Sequence, residues 1–321
     1  MIRRMAPLAG RLARRAYSTE LPPLHKRIEA AAASGNIAEV RRLLRADDSK
    51  STTASAVWED IQQEAEAQLA VEDANISMFG VDRFIRRSVL DHDTLAAGIA
   101  HNVGGKLAAN SAEANVNFEM VIQSCLEADP EIVECVAHDL QRFRVVDPAA
   151  KGLLGVYLFY KGVQALACAR VANHFWTERG GHGKLVARML QSEMADVFGV
   201  DIHPGCKLGR GITIDHATGV VLGETCVIGD RVYLMHDVTL GATGTSDDFD
   251  RHPKVGNDVF LGAKCTVLGN IQVGDGATVA AGALVNKPVP ARHTAVGVPA
   301  RLIEPKPEKV QDTEDFQRKA K

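Results

Sequence analysis

The stretch DIHPGCKLGRGITIDHATGVVLGETCVIGDRVYLMHDVTLGAT, residues 201–243, decides the fold because an aliphatic residue returns in it about every six positions. The same period resumes at Val255 and continues to Val285. A period of six fits neither a helix nor a strand hairpin. It fits a β-solenoid, in which each flat side needs one inward aliphatic residue and each corner a tight turn. These residues, which we name anchors, are Ile202, Leu208, Ile214, Leu222, Ile228, Leu234, Leu240, Val255, Leu261, Val267, Val273, Val279 and Val285.

Two further features accompany the anchors. A small or β-branched residue often stands four positions after an anchor, where we expect it to fill a narrow inward slot; examples are Thr218, Val238, Val259, Ala277 and Ala283. The spacing also slips by two residues between Ile214 and Leu222, which pushes the chain outward just after His216. Because the slip lies beside an Asp-His pair, we interpret it as a functional distortion of the repeat.

The composition limits the class of protein. The chain has 321 residues, of which 46% are hydrophobic and 24% charged, enough for one large domain or two smaller ones. A formal net charge of −3 gives no argument for nucleic acid, and no basic aromatic-rich RNA motif occurs. No apolar run approaches the roughly 20 residues of a membrane span. We therefore expect neither a nucleic-acid partner nor a membrane.

The six cysteines form no CxxC pair and have no zinc-finger spacing. Cys206, Cys226 and Cys265 each stand four positions after an anchor, in the inward slot of the repeat. Cys125, Cys135 and Cys168 fall in helical stretches. We interpret all six as packing residues, which suits a reducing compartment.

The N-terminal segment, residues 1–19, is basic, with five arginines and no acid before Glu20. Apolar residues alternate with the arginines, a composition typical of a mitochondrial transit peptide. The tetrapeptide RAYS, residues 15–18, resembles a matrix-processing site. The sequence therefore predicts delivery to the mitochondrial matrix, with a basic tail on a cytoplasmic protein as the alternative.

The remaining chain divides into four predicted parts. Residues 20–55 are predicted to be a helical extension and linker, and residues 56–199 an α-helical domain. Residues 200–303 are the predicted solenoid, and residues 304–321 a disordered tail rich in Lys, Glu and Gln.

Within the helical domain, two Asp-Pro pairs predict helix starts, because each pair offers an N-cap followed by proline at the first helical position. The pairs are Asp129-Pro130 and Asp147-Pro148. Helical spacing also predicts one buried face formed by Met78, Val81, Ile85 and Val89.

Polar residues interrupt the repeat at a few places. Asp201 and His203 open the solenoid, Asp215-His216 follow two six-residue repeats later, and Glu224 comes soon after. A loop at residues 241–254 carries acids, an arginine and a histidine. Loops on a rigid scaffold are common positions for binding chemistry.

Taken together, these motifs resemble those of the serine O-acetyltransferases of the hexapeptide-repeat acyltransferase family. The resemblance covers roughly residues 57–304 and rests on DIHPG (201–205), DHATGVVLGET (215–225), DRHPK (250–254), LGNI (268–271), GVPAR (297–301), ADPE (128–131) and VDPA (146–149). It implies an α+β chain in which an α-helical domain precedes a left-handed parallel β-helix. It also implies trimers that often pair into hexamers.

The resemblance further implies transfer of acetyl from acetyl-CoA to the hydroxyl of L-serine, the step that makes O-acetyl-L-serine for cysteine synthesis. His216 is then the general base, with Asp201 orienting its ring. His252 helps hold the substrate or steady the developing oxyanion. The substrate-binding residues that the resemblance implies are Asp147 with Pro148, Asp215, Glu224 and Arg251, whose planar guanidinium suits a carboxylate.

For acetyl-CoA, the resemblance implies a groove between neighbouring subunits, lined by the small residues Gly241, Ala242, Thr243, Ala263 and Ala281. Ala242 replaces the usual glycine, and the acidic loop at residues 245–249 replaces a lysine-bearing one. No metal is implied.

Many family members also insert a C-terminal isoleucine into O-acetylserine sulfhydrylase. This sequence ends in Ala320-Lys321, so we expect weak or no complex through the tail.

Two other classes remain open from the residues. One is a different hexapeptide enzyme, either an O-acetyltransferase for another hydroxylated acceptor or a γ-type carbonic anhydrase with zinc on His216, His236 and His252. The other is a non-catalytic solenoid that serves as a scaffold. The Asp-His-Ala-Thr-Gly context, residues 215–219, argues against the zinc site. The presence of both Asp201 and His216 argues against a scaffold, which would be expected to have lost one of them.

Overall fold

The computed structural model describes residues 52–71, 77–110, 115–178, 180–244 and 248–305. The predicted transit peptide and nearly all of the predicted extension and tail lie outside these residues. The chain that is described begins with helices and ends with short strands, with the last helix ending at Phe198 and the first strand beginning at Val200. A division into separately folding units at this boundary stays a prediction.

The helices of the described residues pack around a core that continues into the solenoid. They are α1 (Ala54–Leu69), α2 (Val81–Ile85), a π-helical segment (Arg86–Leu90), α3 (Leu95–Asn110), α4 (Phe118–Ala128), α5 (Pro130–Val146), α6 (Leu153–Phe159), α7 (Lys161–Glu178) and α8 (Gly180–Phe198). Within the described residues, no helix is long and apolar enough to cross a bilayer.

Only one of the two Asp-Pro pairs begins a helix. Asp129 is the N-cap of α5 and Pro130 its first residue, as predicted. The prediction for Asp147-Pro148 is wrong, because Asp147 ends α5 and its Oδ1 accepts from the amide of Ala149 at 2.8 Å. An aspartate that bonds two residues ahead forms a turn instead of a cap.

The predicted face of four apolar residues is also half wrong. Ile85 and Val89 are buried, whereas Met78 is 69% exposed and Val81 is exposed too. Gly80, which lies between Met78 and Val81, adopts the left-handed conformation at φ +73° and precedes the first residue of α2, so the helical period does not extend back to Met78.

The solenoid is a parallel β-helix of three sheets, confirming the predicted fold class. Sheet A has the order β1-β4-β7-β10-β13, sheet B β2-β5-β8-β11, and sheet C β3-β6-β9-β12-β14-β15. The strands are β1 (Val200–Ile202), β2 (Lys207–Leu208), β3 (Thr213–Ile214), β4 (Val220–Leu222), β5 (Val227–Ile228), β6 (Tyr233–Leu234), β7 (Thr239–Gly241), β8 (Lys254–Val255), β9 (Phe260–Leu261), β10 (Thr266–Leu268), β11 (Gln272–Val273), β12 (Thr278–Val279), β13 (Leu284–Val285), β14 (Thr294–Val296) and β15 (Arg301–Ile303). Each strand from β1 to β13 contains one anchor. Among the strands of the described residues, only β15 runs antiparallel to its neighbour.

Each coil turns at three corners, which we name by the sheets they join. The AB corner includes residues 203–206, 223–226 and the loop 242–253; the CA corner includes residues 215–219, 235–238 and 262–265. Most corners place a left-handed residue three positions after an anchor, such as Asp237 or Lys264. The inward slot is confirmed for Cys206, Cys226 and Cys265, which are buried. None of the six cysteines, all within the described residues, forms a disulfide.

The two-residue slip changes one CA corner. Ala217 has the usual left-handed conformation at φ +60°, but His216 before it is left-handed as well, at φ +59°. Two such non-glycine residues in a row store backbone strain. Thr218, predicted to fill an inward slot, is exposed, and Val220 and Ala217 are buried in its place. The slip therefore displaces the chain outward at His216, as predicted.

The helices meet the solenoid at its first coil. Gly162 in α7 lies so close to β3 that a Cβ there would be 2.0 Å from the carbonyl oxygen of Ile214. Nearby, the buried Arg170 guanidinium donates to both carboxylate oxygens of Asp139. The same Asp139 accepts from the amide of Ile212 at 2.8 Å. These contacts hold α5 and α7 against the strand that precedes Asp215.

Candidate active site

The CA corner brings Asp215 and His216 together. Asp215 follows β3 and its side chain is 18% exposed, while that of His216 is 68% exposed. Asp215 Oδ2 lies 3.6 Å from Nε2 of His216 and accepts from the phenol of Tyr233 at 3.0 Å. The ring of His236 lies 5.6 Å from that of His216, nearly perpendicular to it. An exposed imidazole beside a held carboxylate is suited to accepting a proton from a bound molecule.

Asp201 lies on β1, in register with Val221 of β4, and so on the sheet that begins at this corner. Its Oδ1 accepts from the side-chain amide of Gln191 in α8 at 2.7 Å. Among the described residues, no hydrogen bond joins Asp201 to His216. The orienting role that the resemblance implies for Asp201 stays a proposal.

Asp147 lies at the end of α5, where the helices approach the same corner. Burial, followed by the charge of Asp147, raises the pKa of the Tyr160 phenol to about 12, and the charge of Asp215 acts in the same direction. Pro148 follows Asp147 in the turn that ends α5. The CA corner therefore gathers two carboxylates and two phenols around one exposed imidazole.

The AB corner holds His252 in a different way. The residue is only 7% exposed, and its ring packs over Gly223, where a Cβ would lie 2.0 Å from the ring Cδ2. Nδ1 of His252 accepts from the amide of Thr225 at 3.2 Å and lies 2.9 Å from the Thr225 hydroxyl. That hydroxyl oxygen itself accepts from the amides of Arg251 and His252.

These bonds assign the tautomer of His252. A backbone amide can only donate, so Nδ1 carries the lone pair and the neutral ring bears its proton on Nε2. Burial, then the charges of Arg251 and Lys254, lowers the pKa of His252. The neutral ring is thereby favoured and offers one directed N–H donor.

Charged residues surround His252. Nη2 of Arg251 lies 3.8 Å from Oε2 of Glu224. Lys254 donates to Asp250 and to the carbonyl oxygen of Thr225, and the side chain of Asn270 donates to Asp250. The loop between β7 and β8 is thus anchored at its second end. The side chain of Arg251 in this loop stays partly exposed beside Glu224.

The residues predicted to bind acetyl-CoA divide between the two corners. Gly241 ends β7, and Ala242 and Thr243 begin the AB-corner loop. Ala263 and Ala281 lie at the CA corner, on successive coils. The structure does not bring these five residues together within one chain.

The two corners cannot meet within one chain. Sheet A separates them, and about five residues at roughly 3.3 Å each give a separation on the order of 15 Å. The three histidines of a carbonic-anhydrase site are divided in the same way, with His216 and His236 at one corner and His252 at the other. Within the described residues, no cluster of three or more His, Cys, Asp or Glu side chains could hold a metal ion.

Sequence reasoning missed Tyr233, Thr225 and Gln191. Tyr233 stands one position before an anchor, and aligning successive coils on their anchors would have placed it beside Thr213, two residues from Asp215. Thr225 and His252 are 27 residues apart across the loop that interrupts the period. No signal in the repeat connects them.

Comparison with known proteins agrees with this geometry. The chain matches the family described as serine acetyltransferase, N-terminal, over residues 57–168, and the bacterial transferase hexapeptide family over residues 252–287. The chloroplastic serine acetyltransferase 1 of Arabidopsis thaliana is 42% identical over 247 residues, 77% of this chain and 75% of that protein. The mitochondrial serine acetyltransferase 3 of the same plant is 38% identical over 77% of this chain and 60% of its own length.

Solved structures show the same similarity. The soybean serine acetyltransferase complexed with serine superposes with a TM-score of 0.71 at 38% identity, covering 78% of this chain and 98% of that one. A serine acetyltransferase in complex with CoA gives 0.70 at 37% identity, covering 77% and 99%. The helical region and hexapeptide solenoid define an acyltransferase of the hexapeptide-repeat class. Within that class, the chain belongs to the serine acetyltransferase family.

Proposed function

We propose that the CA corner of one copy of the chain and the AB corner of a neighbouring copy form the site that acetylates L-serine with acetyl-CoA. The observation that carries this proposal is the separation of the two corners by sheet A. Each corner holds half of the chemistry, and a cyclic trimer of parallel solenoids would set unlike corners against each other. The serine and CoA complexes of related enzymes support the two substrates.

In this site His216 is the general base. Its exposed ring removes the proton from the serine hydroxyl as the oxygen attacks the thioester carbonyl of acetyl-CoA. The new carbon–oxygen bond forms a tetrahedral oxyanion, to which Nε2–H of His252 donates. Collapse breaks the carbon–sulfur bond, and the proton on His216 passes to the departing CoA thiolate. Asp201 orients the His216 ring.

The remaining residues bind the amino acid and the cofactor. Asp147 and Asp215 receive the ammonium group of serine, with Pro148 shaping the turn beside them. Arg251 binds the carboxylate through its planar fork, and Glu224 orients Arg251 from 3.8 Å. The groove for acetyl-CoA runs between Gly241, Ala242 and Thr243 of one copy and Ala263 and Ala281 of the next.

Mixed assemblies test the shared site. Purified His216→Ala and His252→Ala chains should each release little CoA from acetyl-CoA and L-serine. Co-expressed, they form some interfaces that carry both intact histidines, and random mixing in a trimer predicts recovery of about one quarter of wild-type activity. A mixed protein as inactive as its parents, shown by sedimentation to be trimeric, would place both histidines in one chain's site and refute the proposal. Measuring CoA release with L-homoserine in place of L-serine tests the alternative function, an O-acetyltransferase for another hydroxylated acceptor.

The cellular location and the protein partner are further proposals. A mitochondrial relative supports matrix delivery by residues 1–19, which lie outside the described residues. Residues 1–30 fused to a fluorescent reporter should enter mitochondria, and a diffuse cytosolic signal would contradict this.

For O-acetylserine sulfhydrylase we expect weak or no complex through the C-terminal tail. Co-elution that is lost when the last ten residues are removed would contradict that expectation.

A further inference from the structure

Tyr233 projects from the outer surface of sheet C beside the CA corner. It pairs in register with Thr213 of the preceding coil and with Phe260 of the following one. Its ring stacks on that of Phe260, with centroids 5.3 Å apart and planes inclined by 24°. The next residue, Leu234, is an anchor that points inward. The strand and the aromatic neighbour together restrict where the phenol can reach.

The phenol reaches Asp215. Its oxygen lies 3.0 Å from Oδ2 of Asp215, and the same Oδ2 lies 3.6 Å from Nε2 of His216. Burial, then the charge of Asp215, raises the pKa of Tyr233 above its usual value, so the phenol stays protonated and donates. One carboxylate oxygen is therefore shared between a fixed neutral donor and the imidazole.

The helical part closes the other side of this cluster. The close approach of Gly162 to Ile214 brings the start of α7, with Tyr160 just before it, against β3, which ends one residue before Asp215. The charge of Asp147 also acts on the Tyr233 phenol. Two carboxylates thus lie near each other, and a neutral phenol donor stabilises one of them against the repulsion of the other.

A held Oδ2 has two consequences. The Asp215 carboxylate cannot rotate freely, and among the described residues its Oδ1 has no hydrogen-bond donor, which leaves that oxygen for a ligand. The Tyr233 phenol also competes with the His216 ring for Oδ2, which lies 3.6 Å from Nε2, and a carboxylate free to rotate could approach the ring more closely.

We propose that Tyr233 is a positioning residue, whose phenol holds Asp215 so that the carboxylate binds the ammonium group of the acceptor amino acid instead of closing on His216. The proposal rests on the proposed roles of Asp215 and His216 in serine acetylation. It assigns to Tyr233 selectivity for acceptors that carry an ammonium group.

The test separates ammonium recognition from general damage. The full chain is assayed for CoA release with varied L-serine and acetyl-CoA, and with 3-hydroxypropionate as an inhibitor that has the hydroxyl and carboxylate of serine but no ammonium. Tyr233→Phe should raise the KM for L-serine about tenfold, while the KM for acetyl-CoA and the inhibition constant of 3-hydroxypropionate change less than about twofold.

Tyr157→Phe is the matched control. It removes another buried phenol, one that donates to the carbonyl oxygen of Ser88 within the helical part. This control should lower the thermal midpoint and leave all three constants unchanged. In an Asp215→Ala background, Tyr233→Phe should add nothing to the serine KM, because a residue that acts through Asp215 has no effect without it.

Three results would overturn the positioning role: an unchanged serine KM in Tyr233→Phe, an equal rise in all three constants, or full additivity with Asp215→Ala. A wild-type chain that released no CoA with L-serine would refute the proposed function instead. In that case, calorimetric titration of L-serine into wild-type and Tyr233→Phe protein still decides the positioning role, since equal affinities would refute it.

Discussion

The CA corner and the AB corner carry one site histidine each, and the two rings are held in opposite ways. The His216 side chain is 68% exposed, with a carboxylate oxygen 3.6 Å from its Nε2. His252 is buried over Gly223, and two donors of Thr225 face its Nδ1. An exposed ring can gain and lose a proton, whereas a ring restricted to one tautomer can only offer a fixed N–H. The same side chain thus suits proton transfer at one corner and oxyanion stabilisation at the other.

The largest effect should come from the exposed ring. His216→Ala removes the proposed base, so kcat should fall by about two to four orders of magnitude. Binding of acetyl-CoA should survive, because the proposed groove uses other residues. The measurement is the initial rate of CoA release together with calorimetric titration of CoA. His293→Ala, a histidine at a BC corner, is the control and should keep wild-type rates. A trimeric His216→Ala protein with near-normal turnover would refute the base assignment.

The next effect should come from the support of the buried ring. Thr225→Val keeps the volume but removes the hydroxyl that faces Nδ1 of His252 and accepts from two amides. We expect kcat to fall about tenfold, less than the roughly hundredfold to thousandfold cost of removing an oxyanion donor, because the Nε2–H donor remains and only its support is weakened. Thr225→Ser retains the hydroxyl and should lose little. If the two variants have equal kcat, the hydroxyl does not hold the tautomer.

Arg251→Ala should change binding instead of turnover. A contact made to the serine carboxylate before and during reaction contributes to KM, so we expect the serine KM to rise about tenfold with kcat nearly constant. The matched control is Arg231→Ala, which removes an arginine paired with Asp258 at a BC corner. Steady-state kinetics at varied L-serine measures both. A fall in kcat without a change in KM would assign Arg251 to the transition state alone.

The sequence predicts the two corners unequally. The anchors predict every strand from β1 to β13, because an inward aliphatic residue is required once per flat side. The slip makes His216 a candidate site residue, since an irregularity in a strict period stands out. The bond between Thr225 and His252 is invisible in the sequence because the loop between them interrupts the period. Tyr233 escapes notice because its approach to Asp215 depends on the register of neighbouring coils.

Local sequence also fails to predict helix starts where one motif occurs in two different structures. Asp129-Pro130 begins α5, while Asp147-Pro148 ends the same helix in a turn. Both pairs have the residues of a helix start, and tertiary packing decides between them. Leu153 and Leu154 begin the next helix instead, with their amides donating to Glu64 of α1. Such a cap supplied from a distant helix leaves no local signal.

The smallest effect concerns the pH dependence of stability at the AB corner. Burial, followed by the charges of Arg251 and Lys254, lowers the pKa of His252 below its usual 6.5. The folded chain therefore binds fewer protons at this ring than the unfolded chain does. The ring's contribution to stability is present above the unfolded pKa and decreases as the pH falls below it. His203, whose pKa is lowered mainly by burial, acts in the same direction.

We expect His252→Gln to remove part of the fall in thermal midpoint between about pH 7 and about pH 5. Arg251→Ala should remove less of that fall, because it takes away only one cause of the lowered pKa of His252. Scanning calorimetry across this range measures the difference, and identical pH profiles for wild type and His252→Gln would contradict the assignment of a buried neutral ring.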